Sequence, residues 1–225
     1  MAVGNACLPK YIALLLSLLL LTACKNDPLD GRNDPQYKWW SLTFRAPSYM
    51  SGWVEFSTVD DIKNRLTHRQ GGGLIGNGDP GLDQEYARGW GIVVATSSFP
   101  MAGADLPKRI FVRWQSIVEQ KTYKGWVEIP EYAREIMRGS IARRCPDWPD
   151  HEANYMAAAF VGLAPGGVMQ VWVNNNCLDK ILVARAQADI ETLGPYQGKS
   201  NGQYRPQEEP SKRYIERYGI PYGSW

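Results

Sequence analysis

Histidines and cysteines are the first side chains to consider for catalysis or metal binding in this 225-residue sequence. Neither His68 nor His151 stands in a zinc-ligand pattern such as His-Glu-x-x-His, and no Gly-x-Ser-x-Gly nucleophile motif occurs. Gly198-Lys199-Ser200 resembles the end of a phosphate-binding loop, but Leu193 occupies the position of the required glycine. We therefore expect no catalytic residues, no metal site, no cofactor and no enzymatic activity.

The glycine-rich stretch over residues 71–88, GGGLIGNGDPGLDQEYAR, has no sustained hydrophobic period and is predicted to be a long loop. Its acidic residues lack the alternating spacing of a helix-loop-helix calcium site. Long loops inside compact domains are often binding elements. We predict a partner-binding surface here, with two tryptophans as a second candidate surface. The residues concerned are Gly71, Gly72, Gly73, Asn77, Asp79, Asp83, Trp53 and Trp126.

Cys24 is the cysteine with the most informative surroundings. A basic residue, Lys10, precedes an apolar run over residues 11–21, and Thr22-Ala23-Cys24 follows it, which resembles a bacterial lipobox. The resemblance implies cleavage before Cys24 and acylation of its sulfur. Lys25 is not Asp, which in such lipoproteins favours the periplasmic face of the outer membrane. The alternatives are a transmembrane anchor, although the run is about half the roughly 20 residues required, or cleavage at another site.

These assignments predict a signal peptide over residues 1–23, a lipidated tether over 24–36 and one globular domain over 37–225. Cys145 and Cys177 are then the two cysteines left in an oxidising compartment. We predict that they form a disulfide worth roughly 3 to 4 kcal/mol. The alternative is two buried thiols.

Composition favours a β-rich fold. Nine Trp, twelve Tyr, 22 Gly and 15 Pro indicate short strands and turns instead of a helical bundle. The net charge of +2 gives no support to binding of nucleic acid or of anionic lipid.

Alternating patterns predict the first strands. Residues 37–45 place Trp40, Leu42 and Phe44 on one strand face. Residues 52–56 are predicted as the returning strand, with Val54 and Phe56 facing the core. A short helix over 60–69 and a buried strand over 89–96 are expected next.

The clearest unit is an antiparallel hairpin over residues 106–129, followed by a helix that Pro130 begins. Ile110, Val112 and Trp114 alternate with polar residues in its first strand. The helix has one apolar stripe to pack on the sheet, made of Tyr132, Ala133, Ile136, Met137 and Ile141.

A second hairpin joins the apolar runs over 155–163 and 168–174. Residues 180–191 fit a strand or a helix, and we favour the strand. Residues 195–207 form a predicted loop, after which Ser211 caps a short helix that ends at Gly219. The aromatic tail over 220–225 is expected to dock on the domain.

The fold class predicted from these elements is α+β, mainly β. It is an antiparallel sheet or sandwich of hairpins with one main helix packed on it and a short C-terminal helix. Trp40, Trp114 and Trp172 are expected in the core, whereas Trp39, Trp53 and Trp126 alternate with polar residues and are candidates for an exposed patch.

Several of these residues also carry a family resemblance. Trp39-Trp40, Leu106-Pro107-Lys108, Val112-Arg113-Trp114-Gln115-Ser116, Glu119, Tyr123 and Ile129-Pro130 resemble the bacterial lipoproteins grouped as domain of unknown function 2931. Some lipoproteins of this kind accompany periplasmic phospholipase toxins of type VI secretion as immunity partners. The resemblance implies a non-enzymatic protein on the periplasmic face of the outer membrane, which binds a toxin encoded by a neighbouring gene. The alternative is an envelope structural or glycan- or lipid-binding lipoprotein.

Overall fold

The computed structural model describes residues 39–76, 88–91, 97–142, 144–151 and 157–225. Within these ranges the regular structure consists of two five-stranded sheets, two α-helices and two short 3-10 helices. No helix within these ranges combines the length and the hydropathy required to cross a membrane. Cys24 and the predicted tether lie outside the described residues.

The first sheet has the order β4-β1-β7-β8-β9, and the second has the order β10-β6-β5-β2-β3. All pairs are antiparallel except β1 with β7, which is parallel. The strands are β1 (Ser41–Arg45), β2 (Gly52–Asp61), β3 (Leu66–Ile75), β4 (Ser97–Pro100), β5 (Pro107–Ser116), β6 (Lys121–Glu128), β7 (Ala158–Ala164), β8 (Val168–Asn174), β9 (Lys180–Gln187) and β10 (Asp189–Ile190). The helices are α1 (Glu131–Ala142) and α2 (Glu209–Tyr218). The mainly β sandwich predicted from the sequence is therefore confirmed.

The core fills the space between the two sheets. Trp40, which directly precedes β1, and Leu42 and Phe44 of β1 are each at most 1 % exposed, as their alternation predicted. From the other sheet, Val112 and Trp114 meet them in the same apolar cluster. Burial of such a cluster is the main favourable term in folding.

The hairpin β5–β6 and the hairpin β7–β8 have the predicted positions, and β9 confirms the strand over residues 180–187. Pro130 precedes α1, and Ala133 and Met137 are fully buried. The predicted apolar stripe is only partly correct, because Tyr132 is half-exposed, with its hydroxyl donating to the Val183 carbonyl at 2.8 Å.

The predicted helix over residues 60–69 is wrong. The segment ends β2, turns and begins β3. The Asp61 carboxylate accepts hydrogen bonds from the backbone N–H groups of Lys63 and Arg65 at 2.8 and 3.0 Å, which fixes a turn that competes with helix. Ile62 and Leu66, which gave the helical spacing, are both exposed.

The strand β2 differs from its prediction in two ways. It pairs with β3 and β5 in the second sheet and is not the hairpin partner of β1. A bulge between Val54 and Phe56 also reverses the alternation, so that Val54 is buried in the core while Phe56 lies on the outer face.

The long loop predicted over residues 71–88 does not begin at residue 71. Residues 71–75 continue β3, with Gly71 and Gly72 opposite Glu55 at the bulge. Gly71 has φ +68° and Gly73 has φ +76°, backbone angles that glycine adopts without strain. Residues 77–87 and 92–96 lie outside the described ranges. Of the strand predicted over 89–96, residues 89–91 are irregular.

The chain end is docked as expected. Helix α2 begins at Glu209, so Ser211 is its third residue and not its cap. It ends at Tyr218 and is capped by Gly219, which has φ +72°. The Trp225 indole N–H donates to the Pro165 carbonyl at 3.1 Å. The Tyr222 hydroxyl bonds the Glu119 carboxylate at 2.9 Å.

Candidate functional site

The outer face of the second sheet carries aromatic side chains from four neighbouring strands. We call the set His68, Phe56, Phe111 and Trp126 the aromatic row. His68 stacks on Phe56 with ring centroids 5.9 Å apart, Phe56 meets Phe111 at 6.2 Å, and Phe111 meets Trp126 at 5.3 Å. The row crosses β3, β2, β5 and β6 in that order, so the sheet itself sets its geometry.

Two arginines of β5 lie against this row and are held by acidic residues of β2. The Arg109 guanidinium lies 4.3 Å from the Trp126 ring centroid, and its Nε donates to Asp60 at 2.9 Å. The Arg113 guanidinium lies 5.5 Å from the Phe56 centroid. Both cations therefore combine an ion pair with a cation–π contact, which fixes their orientation.

Glu55 is the most heavily bonded acid on this face. Its carboxylate accepts hydrogen bonds from Arg113 Nε at 2.9 Å, from Gln115 Nε2 at 2.9 Å and from the Tyr196 backbone N–H at 2.8 Å. The side chain is fully buried although it lies outside the sandwich core. The charge is tolerated because each carboxylate oxygen has a partner.

The segment over residues 195–205 covers Glu55 and lies across one end of the face. Its Arg205 backbone N–H donates to Gln115 Oε1 at 3.0 Å, and the Arg205 guanidinium stacks 3.8 Å from the Trp53 centroid. Tyr196 and Gln197 have φ of +52° and +56°. Two consecutive non-glycine residues in this region cost energy, which the bonds to Glu55 and Gln115 offset.

An open cleft of about 430 Å³ lies between this segment and the sheet. Its lining combines one indole, one ion pair, two primary amides and an ammonium that has no partner among the described residues. The lining residues are Trp53, Glu55, Gln70, Gly71, Arg113, Tyr196, Gln197 and Lys199.

The binding residues predicted from the sequence lie in different parts of the structure. Trp53 and Gly71 line the cleft, and Trp126 belongs to the aromatic row. Gly72 faces the core, where a Cβ would lie 2.6 Å from Val54, and Gly73 is in β3 beside it. Asn77, Asp79 and Asp83 lie outside the described residues. Trp39 is half-buried at the start of the domain.

Sequence reasoning missed Glu55, Arg109, Arg113 and the 195–205 segment as parts of one face. The available signal was the alternation of Arg109, Phe111 and Arg113 on the outward side of β5, which places an aromatic ring between two guanidinium groups. The contribution of Tyr196 had no local signal, because its backbone N–H reaches Glu55 of β2 across 141 residues.

Neither histidine lies in an acid–base set within the described ranges. His68 Nδ1 is 3.0 Å from the Thr58 hydroxyl, and His151 is exposed in the loop after α1. Cys145, Asp147 and Cys177 bring three potential metal ligands within 4.8 Å of one another. The two sulfurs are joined in a disulfide, as predicted, so they do not offer the thiolates that a metal requires.

The geometry of this face suits recognition: ordered aromatic rings, oriented arginines and a polar cleft. A family model described as protein of unknown function (DUF2931) matches residues 25–223. No curated protein and no solved structure matches the chain. The match covers nearly the whole chain, including both sheets and both helices. The chain belongs to the DUF2931 family.

Proposed function

We propose that this chain is a lipid-anchored protein on the periplasmic face of the outer membrane that binds a protein partner through the outer face of its second sheet. The partner we propose is a type VI secreted, phospholipase-like toxin encoded by a neighbouring gene, for which the chain acts as the immunity protein. The aromatic row and its two arginines are the observation that carries the binding part of the proposal.

Energetic hot spots of protein interfaces are enriched in Trp, Tyr and Arg, at positions that are well packed before binding. Trp126 of the aromatic row and the adjacent Arg109 and Arg113 are residues of these types, and Phe56 and Phe111 add further aromatic surface. Trp126 is 37 % exposed, and Leu66 and Leu74 add exposed apolar surface on β3 at 55 % and 44 %. Because the rings rest on four hydrogen-bonded strands, little conformational entropy is lost when a partner covers them.

The sequence and the disulfide support the compartment. Thr22-Ala23-Cys24 after an apolar run resembles a lipobox, and Cys145–Cys177 is a bond that persists in oxidising environments. The Pro-, Gly-, Asn- and Asp-rich composition of residues 24–36 predicts a tether, and a coil of that length would reach roughly 20 Å. The domain would then stay within a short distance of the bilayer that a phospholipase attacks.

In the mechanism that we propose, the sheet face covers the active site of the toxin and denies it access to lipid. The anchor raises the local concentration of the inhibitor at the membrane. No chemistry by this chain is needed, because inhibition follows from steric exclusion.

Co-purification with the neighbouring gene product tests the binding proposal, using Trp126→Ala against Trp148→Ala as a matched control. Trp148 is 51 % exposed in the loop after α1 and lies apart from the aromatic row. We expect Trp126→Ala to weaken binding at least tenfold, because loss of a hot-spot side chain costs about 2 kcal/mol or more. Trp148→Ala should bind as the wild type does.

The immunity role has its own test. Deletion of the gene should make the strain sensitive to toxin-producing sister cells, and the wild-type gene should restore resistance. If no neighbouring gene encodes a secreted toxin and deletion confers no sensitivity, the immunity proposal is rejected.

The anchor can be tested separately with Cys24→Ala, which should release a folded, soluble protein from the membrane fraction. Protection by this variant should fall, because the inhibitor is no longer concentrated at the bilayer. A Cys24→Ala protein that remains in the membrane fraction would contradict lipidation at this residue.

A further inference from the structure

The cleft beside Trp53 has the features of a small-ligand site that is separate from the aromatic row. Its volume of about 430 Å³ falls within the range of about 300–1,000 Å³ that is typical of ligand pockets. Residues from β2, β3, β5 and the 195–205 segment converge on it, so the site forms only when the chain is folded.

The polar groups of the cleft divide into two kinds. Glu55 and Arg113 neutralise each other at 2.9 Å and are held by the sheet. Within the described part of the chain, the side chains of Gln70, Gln197 and Lys199 make no hydrogen bond or ion pair, although they line the same space. These three groups are therefore available to a ligand.

The net charge of the lining is +1, because Lys199 is the charge left after Glu55 and Arg113 cancel. An ammonium on an open cleft wall favours a ligand with one negative charge. The two primary amides each offer donors and an acceptor, a combination that suits hydroxyl groups, which also donate and accept.

Trp53 supplies the apolar wall. One face of its indole carries the Arg205 guanidinium, which holds the ring in place, and the indole also borders the cleft. A pyranose ring presents C–H groups to an aromatic side chain and hydroxyls to its other neighbours, so one indole beside two amides fits a sugar better than it fits an extended peptide.

The backbone of the cleft wall is strained at Tyr196 and Gln197, with φ of +52° and +56°. Backbone strain of this kind is concentrated at ligand-binding sites, where surrounding contacts hold the strained conformation in place. Here the buried Glu55 carboxylate holds the Tyr196 N–H and so keeps the Gln197 side chain at the cleft. Gly71 completes the wall without a side chain, and its φ of +68° favours glycine.

We infer that this cleft binds an acidic sugar, with the ring against Trp53, the hydroxyls on Gln70 and Gln197, and the carboxylate on Lys199. The cleft adjoins the proposed partner surface and shares Arg113 with it, but the inference does not rest on the immunity role.

Ligand-observed saturation-transfer NMR and calorimetry on the full chain test this site with D-glucuronate, D-glucose and N-acetyl-aspartate amide. We expect glucuronate to bind at least tenfold more tightly than glucose, the difference contributed by one charge-assisted hydrogen bond. The Lys199→Gln variant should lose this difference. Lys212→Gln, at an exposed position of α2 outside the cleft, should keep it.

A second variant, Trp53→Ala, should reduce the binding of both sugars, with far-ultraviolet circular dichroism showing that the domain remains folded. If glucuronate gives no signal, or binds Lys199→Gln as it binds the wild type, the inference is overturned. If N-acetyl-aspartate amide binds as tightly as glucuronate, the inference is also overturned, because the cleft would then recognise a carboxylate without a sugar ring. None of these outcomes depends on partner capture by the aromatic row.

Discussion

At the scale of single residues, two buried charged side chains contribute to the stability of the fold. Arg45 is 3 % exposed on the outer face of the first sheet, with its guanidinium 4.9 Å from the Trp172 centroid and 5.5 Å from the Trp90 centroid. Its Nη2 donates to the Trp90 carbonyl at 2.6 Å. Burial lowers the pKa of Arg45 to about 10, so the side chain stays charged at neutral pH.

Replacement of Arg45 by Lys should lower the free energy of unfolding by about 1–3 kcal/mol, because an ammonium lacks the planar guanidinium that contacts both indoles and donates to the Trp90 carbonyl. Urea denaturation monitored by circular dichroism measures this loss. Arg213→Lys on the exposed side of α2 is the matched control and should change stability little. Equal stability of the two variants would contradict a structural role for the guanidinium.

Asp61 is the second buried charge with a measurable consequence. Burial by itself would raise the pKa of its carboxyl, but hydrogen bonds from the backbone and side chain of Arg65 and from the backbones of Asp105 and Lys63 outweigh burial and lower the pKa to about 2. Since the folded pKa is below the ordinary 3.8, the carboxylate stabilises the fold above about pH 4.

This stabilisation should be lost as the pH falls from about 4 to about 2. The Asp61→Asn variant should be less stable than the wild type at pH 7 and should lose less stability between pH 4 and pH 2. Urea midpoints measured at intervals across this range provide the test. Parallel profiles for the two proteins would show that Asp61 does not carry this part of the acid sensitivity.

At the scale of elements, the bulge in β2–β3 decides which side chains reach the outer face. Two residues of β3, Gly71 and Gly72, lie opposite Glu55 alone, and Phe56 is thereby turned away from the core and into the aromatic row. A strand without this bulge would bury Phe56 and place Glu55 elsewhere. The glycines are needed because a side chain on Gly72 would strike Val54.

The Gly72→Ala variant should be destabilised by about 1–3 kcal/mol, since its new Cβ would lie 2.6 Å from Val54 in the core. Gly139→Ala in α1 is the opposite case. Its Cβ would have no atom within 4 Å, and we expect a gain of about 0.5–1 kcal/mol from reduced backbone entropy of the unfolded chain. Thermal denaturation of both variants measures the two shifts, and a stabilised Gly72→Ala would refute the close packing.

At the scale of the whole molecule, the sandwich is held together by contacts distant in sequence. The parallel pairing of β1 with β7 joins the start of the domain to its second half. The disulfide joins the chain just after α1 to the turn between β8 and β9, with Cα atoms 4.7 Å apart. Asn176 Nδ2 also donates to the Arg144 carbonyl at 3.0 Å, beside the same bond.

Removal of this cross-link in a Cys145→Ser, Cys177→Ser double variant should cost about 2–5 kcal/mol, with the fold retained in the absence of denaturant. Urea denaturation of the double variant and of the oxidised wild type gives the difference. Mass spectrometry of the non-reduced, alkylated protein is the direct check. Two alkylated residues at positions 145 and 177 would contradict the disulfide.

Local patterns in the sequence were sufficient to predict much of the fold. The alternation in β1, β5 and β6 predicted their core faces, and Pro130 predicted the start of α1, because these signals depend on neighbours within a few residues. The same alternation identified Trp53 and Trp126 as outer-face residues. Both now lie on the face that we propose for binding.

Tertiary structure decided what local pattern does not encode. Ile62 and Leu66 have helical spacing, but the bonds of Asp61 and the pairing of β2 with β3 made the segment a hairpin. The cleft depends on Glu55 reaching the Tyr196 backbone, a contact 141 residues apart in the chain. The sequence determined which residues are apolar, bonded or rigid over short distances. Packing of the two sheets determined which distant ones meet, because strand register and sheet order minimise the free energy of the whole core and not of any one segment.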